Sequence, residues 1–551
     1  VAALAPAYRP RRPTETILYG LVRDHLATFL AHARETYAAP LPRYVQEELR
    51  GYLRCGVFAH GFVRAHCDGC GHDLLVAFSC KARGVCPSCA GRRMANTAAH
   101  LVDRVLPAVP VRQWVLSLPF ELRRLAAFDA KVLAALARIF AEALSDRYRQ
   151  WGSREGLGPS QTGAITFVQR FGSSLNLNVH LHVVVLDGVF VRDATEHPVF
   201  HAAPPPSRRE LDHVLERVHR RASAWLVRHG YVDESPLEAR SNDMPSPTPL
   251  DVCADLAMQR GTTTTIRDGG EEEAEQGIGA RTAPAHEAAD HEGFNLHASV
   301  RIEAADDLGR ERLCRYGARP PFSLERFRKL PGGRVGYRFK KARGGRAKLL
   351  VVTPLELLAR IAALIPPPRY PLVRYHGVLA PRSSWRKAVI PRAPEVDATH
   401  AKKDRHEHVK SADRTARREG DAHSPSRGDD DADHLPKRRA RAAFAAPYFS
   451  ATYLAPNVIA IRHWERLRGG LLFATAPRIA WSVLLRRTFD VDVLECAKCH
   501  GRLRVLGAVE DPLTARALLE QLGLPTDAPA QPRARDPSTL DGQDPTDDRD
   551  E

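Results

Sequence analysis

The stretch LNVHLHVVVL (177–186) constrains the fold more than any other part of the chain. It is apolar and rich in β-branched residues, yet far shorter than the ~18 residues of a membrane span. It reads as a buried β-strand. In a strand, residues two apart point to the same face. Val179, Leu181, Val183 and Val185 therefore fill one face, while His180 and His182 leave the sheet together on the other. Asn176 and Asn178 share the histidine face. Two buried imidazoles are costly without partners. The pair is either a metal grip or two structural histidines.

The flanking sequence supplies partners for that strand. GAITFVQRF (163–171) is a second strand, and the Gly-Ser-Ser turn after it predicts a hairpin. VRQWVLSLP (111–119) is a third strand, and residues 121–150 are expected to form one long amphipathic helix. Residues 14–54 read as two helices, starting at Thr14 and Glu15 and broken at Pro40 and Pro42. Residues 207–229 form a basic helix, and GFNLHASVRIEA (293–304) a strand. DDLGRERLCRYGA is a short helix stopped by Pro320 and Pro321. A hairpin turning at Gly332-Gly333 follows, and then a helix over 353–365 with Thr353 as its cap.

A chain of 551 residues exceeds one ordinary domain. Its formal charge of +16 favours an acidic partner, nucleic acid before an anionic membrane surface. The first residues lack the basic-then-apolar order of a signal peptide, so a cytoplasmic, nucleoid-associated location is expected. Residues 232–292 turn to Ser, Pro, Thr, Gly and Glu and read as a low-complexity surface insertion. Residues 391–441 read as a disordered charged linker, 442–523 as a C-terminal region with its own CxxC, and 524–551 as a disordered tail.

Six of the ten cysteines come as three CxxC pairs, which suits metal or redox work better than structural disulfides. Cys67-x2-Cys70 and, fifteen residues on, Cys86-x2-Cys89 can supply four thiolates to one tetrahedral zinc. Cys55, His60, His66, His72 and Cys80 lie nearby as possible replacements. Arg92 and Arg93 give the module a basic flank suited to DNA. Cys496-x2-Cys499, beside His500, is half a site.

The histidine pair suits Mg2+, Mn2+ or zinc, with a third protein ligand expected. Gln169, on the preceding strand, is the first choice and His297 the second. Tyr316 is a candidate nucleophile if a metal-bound phosphate lies near it. Arg312, Arg315 and Arg319 surround it in sequence, with Arg312 and Arg319 on its side of the helix. In RYHGVLAPRSSWRKAV (374–389), Tyr375 and His376 are a second candidate pair. Arg374 and Trp385 there interleave charge and aromatic surface, as single-strand binding uses.

CDGCGHDLLVAFSCKARGVCPSCAGRR, FVQRFGSSLNLNVHLHVVVLDGVF, RYGARPPFSLERF, RYHGVLAP and VDVLECAKCHGRLRVL occur in this order. Together they resemble the rolling-circle transposases of the insertion-sequence ninety-one family. The resemblance implies a zinc-binding DNA-binding domain (55–105) behind a helical N-terminal segment (1–54). It also implies an HUH-type catalytic domain (106–231 and 293–390), an α+β fold with a mostly antiparallel sheet, packed helices and the histidines on a central strand. It further implies structural Zn2+, and Mg2+ or Mn2+ at His180 and His182. Tyr316 would attack single-stranded DNA at transposon ends, form a 5′-phosphotyrosine link, free a 3′-OH and allow rejoining to target DNA. Two-tyrosine members carry the other tyrosine four residues earlier, where this chain has Arg312, so it reads as a single-tyrosine variant. A non-catalytic zinc-dependent DNA-binding regulator, or a decayed transposase that keeps only DNA binding, are the competing readings.

Overall fold

The structure, a computed structural model, describes residues 8, 10–37, 39–232, 247–259, 261–267, 288–343, 346–392, 479–489 and 491–536. Its central sheet has six strands in the order β10 (Ala288–His291), β11 (Phe294–Ile302), β3 (Val111–Ser117), β6 (Leu177–Leu186), β5 (Gly163–Phe171) and β15 (Val373–Gly377). Every neighbouring pair is antiparallel. The histidine strand β6 is thus central, and its hairpin with β5 closes through Gly172 N–H donating to the Asn176 carbonyl at 3.0 Å. The class is α+β, as expected.

The two faces of β6 enter two cores. Val179, Leu181, Val183 and Val185 pack with Trp114 and Leu116 against α5 (Ala130–Arg154), α6 (Arg208–Arg228) and α9 (Pro354–Leu364). Val184 and Leu186 pack on the other face with Ile165 and Phe167. They lie under α3 (Pro87–Arg104) and α8 (Asp307–Gly317), which bring Leu101 and Leu313. The alternation read from the sequence is therefore the division between the cores.

Beyond the sheet, α1 (Ile17–Tyr37) and α2 (Arg43–Arg54) occupy the predicted N-terminal positions. Thr16, and not Thr14, caps α1 by accepting from Tyr19 N–H at 3.2 Å. The helix expected over 121–150 is two, α4 (Phe120–Phe128) and α5. Asp129 separates them because its carboxylate accepts from the N–H groups of Lys131 and Val132, a side-chain cap that starts a new helix. The 232–292 stretch is only partly an insertion. Inside it, α7 (Pro249–Met258) starts at a capping box of Thr248 and Asp251. β9 (Thr263–Arg267) closes a sheet with β14 (Arg346–Val352), β13 (Val335–Arg343) and β12 (Phe327–Lys329). The β12–β13 hairpin turns at Gly332 and Gly333, both at positive φ. A third sheet joins β4 (Ser160–Gln161), β7 (Gly188–Arg192) and β8 (Pro198–Ala202).

Residues 233–246, 268–287 and 393–478 lie outside the described residues, and so does the body of the expected charged linker. The described C-terminal part is joined to the beginning of the chain. β16 (Leu503–Val509) pairs with β1 (Phe62–Cys67), whose other edge holds β2 (Asp73–Ala77). The helix Trp481–Phe489 inserts Arg487, fully buried, between α3 and α8. Its guanidinium binds Asp103 of α3 and, at 3.0 Å, Glu311 of α8. Glu311 also accepts from Arg315 at 2.9 Å. The first part of the tail is laid against the body too, with Arg535 N–H donating to Thr28 Oγ1 at 3.0 Å. Residues 537–551 lie outside the described residues.

Candidate active site and metal sites

His180 and His182 emerge on the α8 side of the sheet with ring centres 4.8 Å apart. His180 Nδ1–H donates to the Asn178 carbonyl at 2.9 Å, which leaves Nε2 with its lone pair. Burial, aided by the Arg319 and Arg123 charges, pushes its pKa down to about 4. Burial also pushes His182 well below its ordinary value. Both rings are neutral near pH 7, the form that binds a metal.

The second contact of His182 is to Gln113, with Gln113 Nε2 and His182 Nδ1 at 3.0 Å. Among the described residues, His182 Nε2 is buried without a hydrogen-bond partner. A metal on Nε2 requires the proton on Nδ1. Half a turn of the Gln113 amide supplies the accepting oxygen that holds it there.

Tyr316 is the last but one residue of α8, and its ring meets His182 edge-on with centres 5.4 Å apart. The next residue explains the closeness. A Cβ on Gly317 would lie 2.7 Å from the Phe167 ring of β5, so only glycine lets the helix end settle on the sheet. Arg319 lies with its guanidinium 4.6 Å from the Tyr316 ring centre.

Gln169 faces His180 directly across the β5–β6 pair. Its amide nitrogen, however, donates to the carbonyls of Tyr316 at 2.7 Å and Gly317 at 3.1 Å. Its oxygen accepts from Arg319 at 3.4 Å. The side chain expected as third ligand is therefore engaged as a tether of the Tyr316 helix. Among the described residues, no third His, Cys, Asp or Glu joins His180 and His182, and this includes His297.

The arginines divide by helix phase. Arg319 faces the tyrosine, and Arg312 is exposed one turn before it. Arg315, expected at a DNA surface, is 1% exposed and paired with Glu311, because it lies on the helix side facing α3 and Arg487. Arg92 donates to the Ile479 carbonyl and Arg93 to the Lys81 carbonyl. Arg374 and His376 pair with Thr166 and Ala164 of β5, on the sheet face opposite the histidines. There they line a 450 Å³ hollow with Lys131, Arg138 and Trp225. Trp385 stacks under Arg192 instead of facing the site. Missed from the sequence were Gln113, Phe120 and Arg123. Phe120 is 52% exposed at the start of α4, three residues beyond Ser117, the partner of His180.

The cysteines do not form the predicted quartet of Cys67, Cys70, Cys86 and Cys89. Two quartets exist, each with its sulfurs within 4.8 Å of one another: Cys55, Cys80, Cys86 and Cys89, and Cys67, Cys70, Cys496 and Cys499. The reason is the β1–β2 hairpin. Cys67 and Cys70 sit at its tip, while Cys55 and Cys80 flank its base beside the first turn of α3. A six-residue strand spans roughly 20 Å, too far for one ion to reach both CxxC pairs. At the base, sulfur pairs stand 3.6–3.7 Å apart, close to the ~3.8 Å edge of a tetrahedron with 2.3 Å zinc–sulfur bonds. Arg11 approaches Cys55 and Cys86 there at 3.7 and 3.9 Å, offsetting thiolate charge. Four soft donors in this spacing fit zinc.

Residues 21–118 match the family described as "Transposase zinc-binding domain", and residues 163–387 match the one described as "Putative transposase". This chain belongs to the insertion-sequence ninety-one family of transposases. The first match holds the base quartet and the second holds His180, His182 and Tyr316. No curated protein and no solved structure matches the transposase. Among its described residues no helix is long and apolar enough to cross a membrane.

Proposed function

We propose that this transposase nicks and rejoins single-stranded DNA at transposon ends through a covalent 5′-phosphotyrosine at Tyr316. The apposition of Tyr316 and His182 carries the reading. A phenol, two neutral imidazoles and a guanidinium converge on the end of one helix, and that set suits attack on a phosphodiester. In the step, Tyr316 Oη forms a bond to phosphorus and the bond to the 3′ oxygen breaks. The tyrosine gives up its proton to solvent, and the departing 3′ oxygen takes one up to become a free hydroxyl. In rejoining, a 3′-OH attacks the same phosphorus and tyrosine leaves.

His180 and His182 would hold Mg2+ or Mn2+ through their Nε2 atoms, and Gln113 would fix the tautomer of His182. The ion would supply Lewis-acid neutralisation of phosphate charge. Arg319 offers a fixed positive charge beside the phenol, and Gln169 fixes where the phenol stands. Phe120, exposed and backed by Arg123 at 5.8 Å, gives a base a surface to stack on. The base quartet orders the helical N-terminal part, and the net charge of +16 favours the DNA backbone.

The test uses a labelled single-stranded oligonucleotide bearing a transposon end, with Mg2+ or Mn2+. The wild type should give a covalent adduct that mass spectrometry maps to Tyr316, and Tyr316→Phe should give none. An adduct of equal yield in the variant would reject the assignment. A wild type that binds DNA but never cleaves would favour the regulator or the decayed transposase.

A further inference from the structure

The second cysteine quartet is built from segments more than four hundred residues apart, and half of it lies outside both matched regions. Its two halves are copies of one loop. In the first, Cys67 N–H donates to the His72 carbonyl at 2.9 Å, and Gly71 N–H donates to the Cys67 carbonyl at 2.9 Å. In the second, Cys496 N–H donates to the Gly501 carbonyl at 2.8 Å, and His500 N–H donates to the Cys496 carbonyl at 2.9 Å. The residue after each second cysteine has positive φ, +70° at Gly71 and +57° at His500. A non-glycine residue rarely takes that conformation, and here it completes the copy.

The halves face each other. Cys67 and Cys499 sulfurs are 3.4 Å apart, and Cys70 and Cys496 sulfurs 3.5 Å. Lys498 N–H points at the Cys496 sulfur at 3.4 Å. A Cβ on Gly501 would lie 3.3 Å from the Cys499 sulfur and 3.6 Å from that of Cys67, so the loop leaves room only for the sulfurs. His500 is not among the donors that converge here, and its Nδ1 is paired with Glu495 at 2.8 Å. Asp68 and Arg504 bridge the halves on the outside at 3.1 Å.

We propose that Cys67, Cys70, Cys496 and Cys499 bind a second zinc ion, which fastens the C-terminal segment to the tip of the β1–β2 hairpin. Four thiolates in two tight loops suit a soft ion with tetrahedral preference. The fastening keeps β16 on β1 and the helix Trp481–Phe489 between α3 and α8.

The test is zinc per chain, measured by elemental mass spectrometry on the full-length protein purified under reducing conditions. Two ions are expected, falling to one in the Cys496→Ser/Cys499→Ser double variant. One zinc in the wild type, two in the double variant, or iron in place of zinc would overturn the proposal. A second measurement needs no variant. Cys70 and Cys499 are exposed, so iodoacetamide should reach them freely unless metal holds their sulfurs. In the zinc-loaded wild type both should resist alkylation and become reactive after chelation. Rapid alkylation before chelation, or a Cys67–Cys499 disulfide, would reject the site. Neither readout depends on DNA cleavage, so this proposal and the nicking reading fail separately.

Discussion

Tyr316 and His182 meet edge to face, ring centres 5.4 Å apart, although one ends a helix and the other lies inside a central strand. The contact depends on the residue between helix and sheet, Gly317 against Phe167. Gly317→Ala should displace the helix end and cost about 1–3 kcal/mol of stability by overpacking. Adduct formation should fall far more than thermal stability does. Thermal melts beside adduct yield check this, and equal losses in both would argue against a positioning role.

Gln169 separates two roles cleanly. A carboxylate there would be at least as good a metal ligand, yet it cannot donate to the Tyr316 and Gly317 carbonyls. Gln169→Glu should therefore lose most adduct formation, and raising Mg2+ or Mn2+ should not restore it. Recovery at high metal would instead make residue 169 a ligand.

Gln113 acts through His182. Gln113→Leu removes the group that fixes the imidazole tautomer and should reduce metal affinity or activity about 10–100-fold, the usual effect of such a partner. Metal titration of nicking would show it as a shifted midpoint, with single-stranded DNA affinity unchanged.

Among the described residues, Phe120 is an exposed aromatic three residues beyond Ser117, which pairs with His180. Phe120→Ala should weaken single-stranded DNA binding by about 1–3 kcal/mol. Duplex binding should be unaffected. Fluorescence anisotropy with both ligands tests this, and an equal effect on each would remove the stacking role.

The buried charges joining Arg487, Asp103, Glu311 and Arg315 set an acid limit. Burial raises the Glu311 carboxyl, but Arg487 and Arg315 outweigh it and hold the pKa below the ordinary value. The unfolded chain then binds the proton more readily than the folded one. The contribution is full above the ordinary carboxylate range and is lost as pH falls through and below ~4. Arg487→Ala should cost about 3–5 kcal/mol at neutral pH, since it removes the buried cation that Asp103 and Glu311 share. Denaturant melts at pH 7 and pH 4 should show the variant's deficit shrinking in acid.

Much of the histidine side of the site was legible because it is local. Period-two alternation fixes the faces of β6, and the β5–β6 turn is short enough to set Gln169 opposite His180. What Gln169 does with its amide depends on where the end of α8 lies, which no strand pattern contains. Arg315 was misplaced although Glu311 stands four residues before it, the spacing of an internal ion pair. The cysteine quartets were misread for another reason. Sequence spacing treats the fifteen residues between Cys70 and Cys86 as slack, whereas β2 spends them running back along β1. The partners of Cys67 and Cys70 are at the far end of the chain, where neither spacing nor periodicity reaches.

The pairing of β1 with β16 also fixes an order in time. During synthesis the β1–β2 hairpin emerges more than four hundred residues before its second edge partner, which begins at Leu503. Until then β1 keeps an open edge, and Arg487 is missing from between α3 and α8. A polypeptide released prematurely from the ribosome would contain His180, His182 and Tyr316 without the brace behind the tyrosine helix.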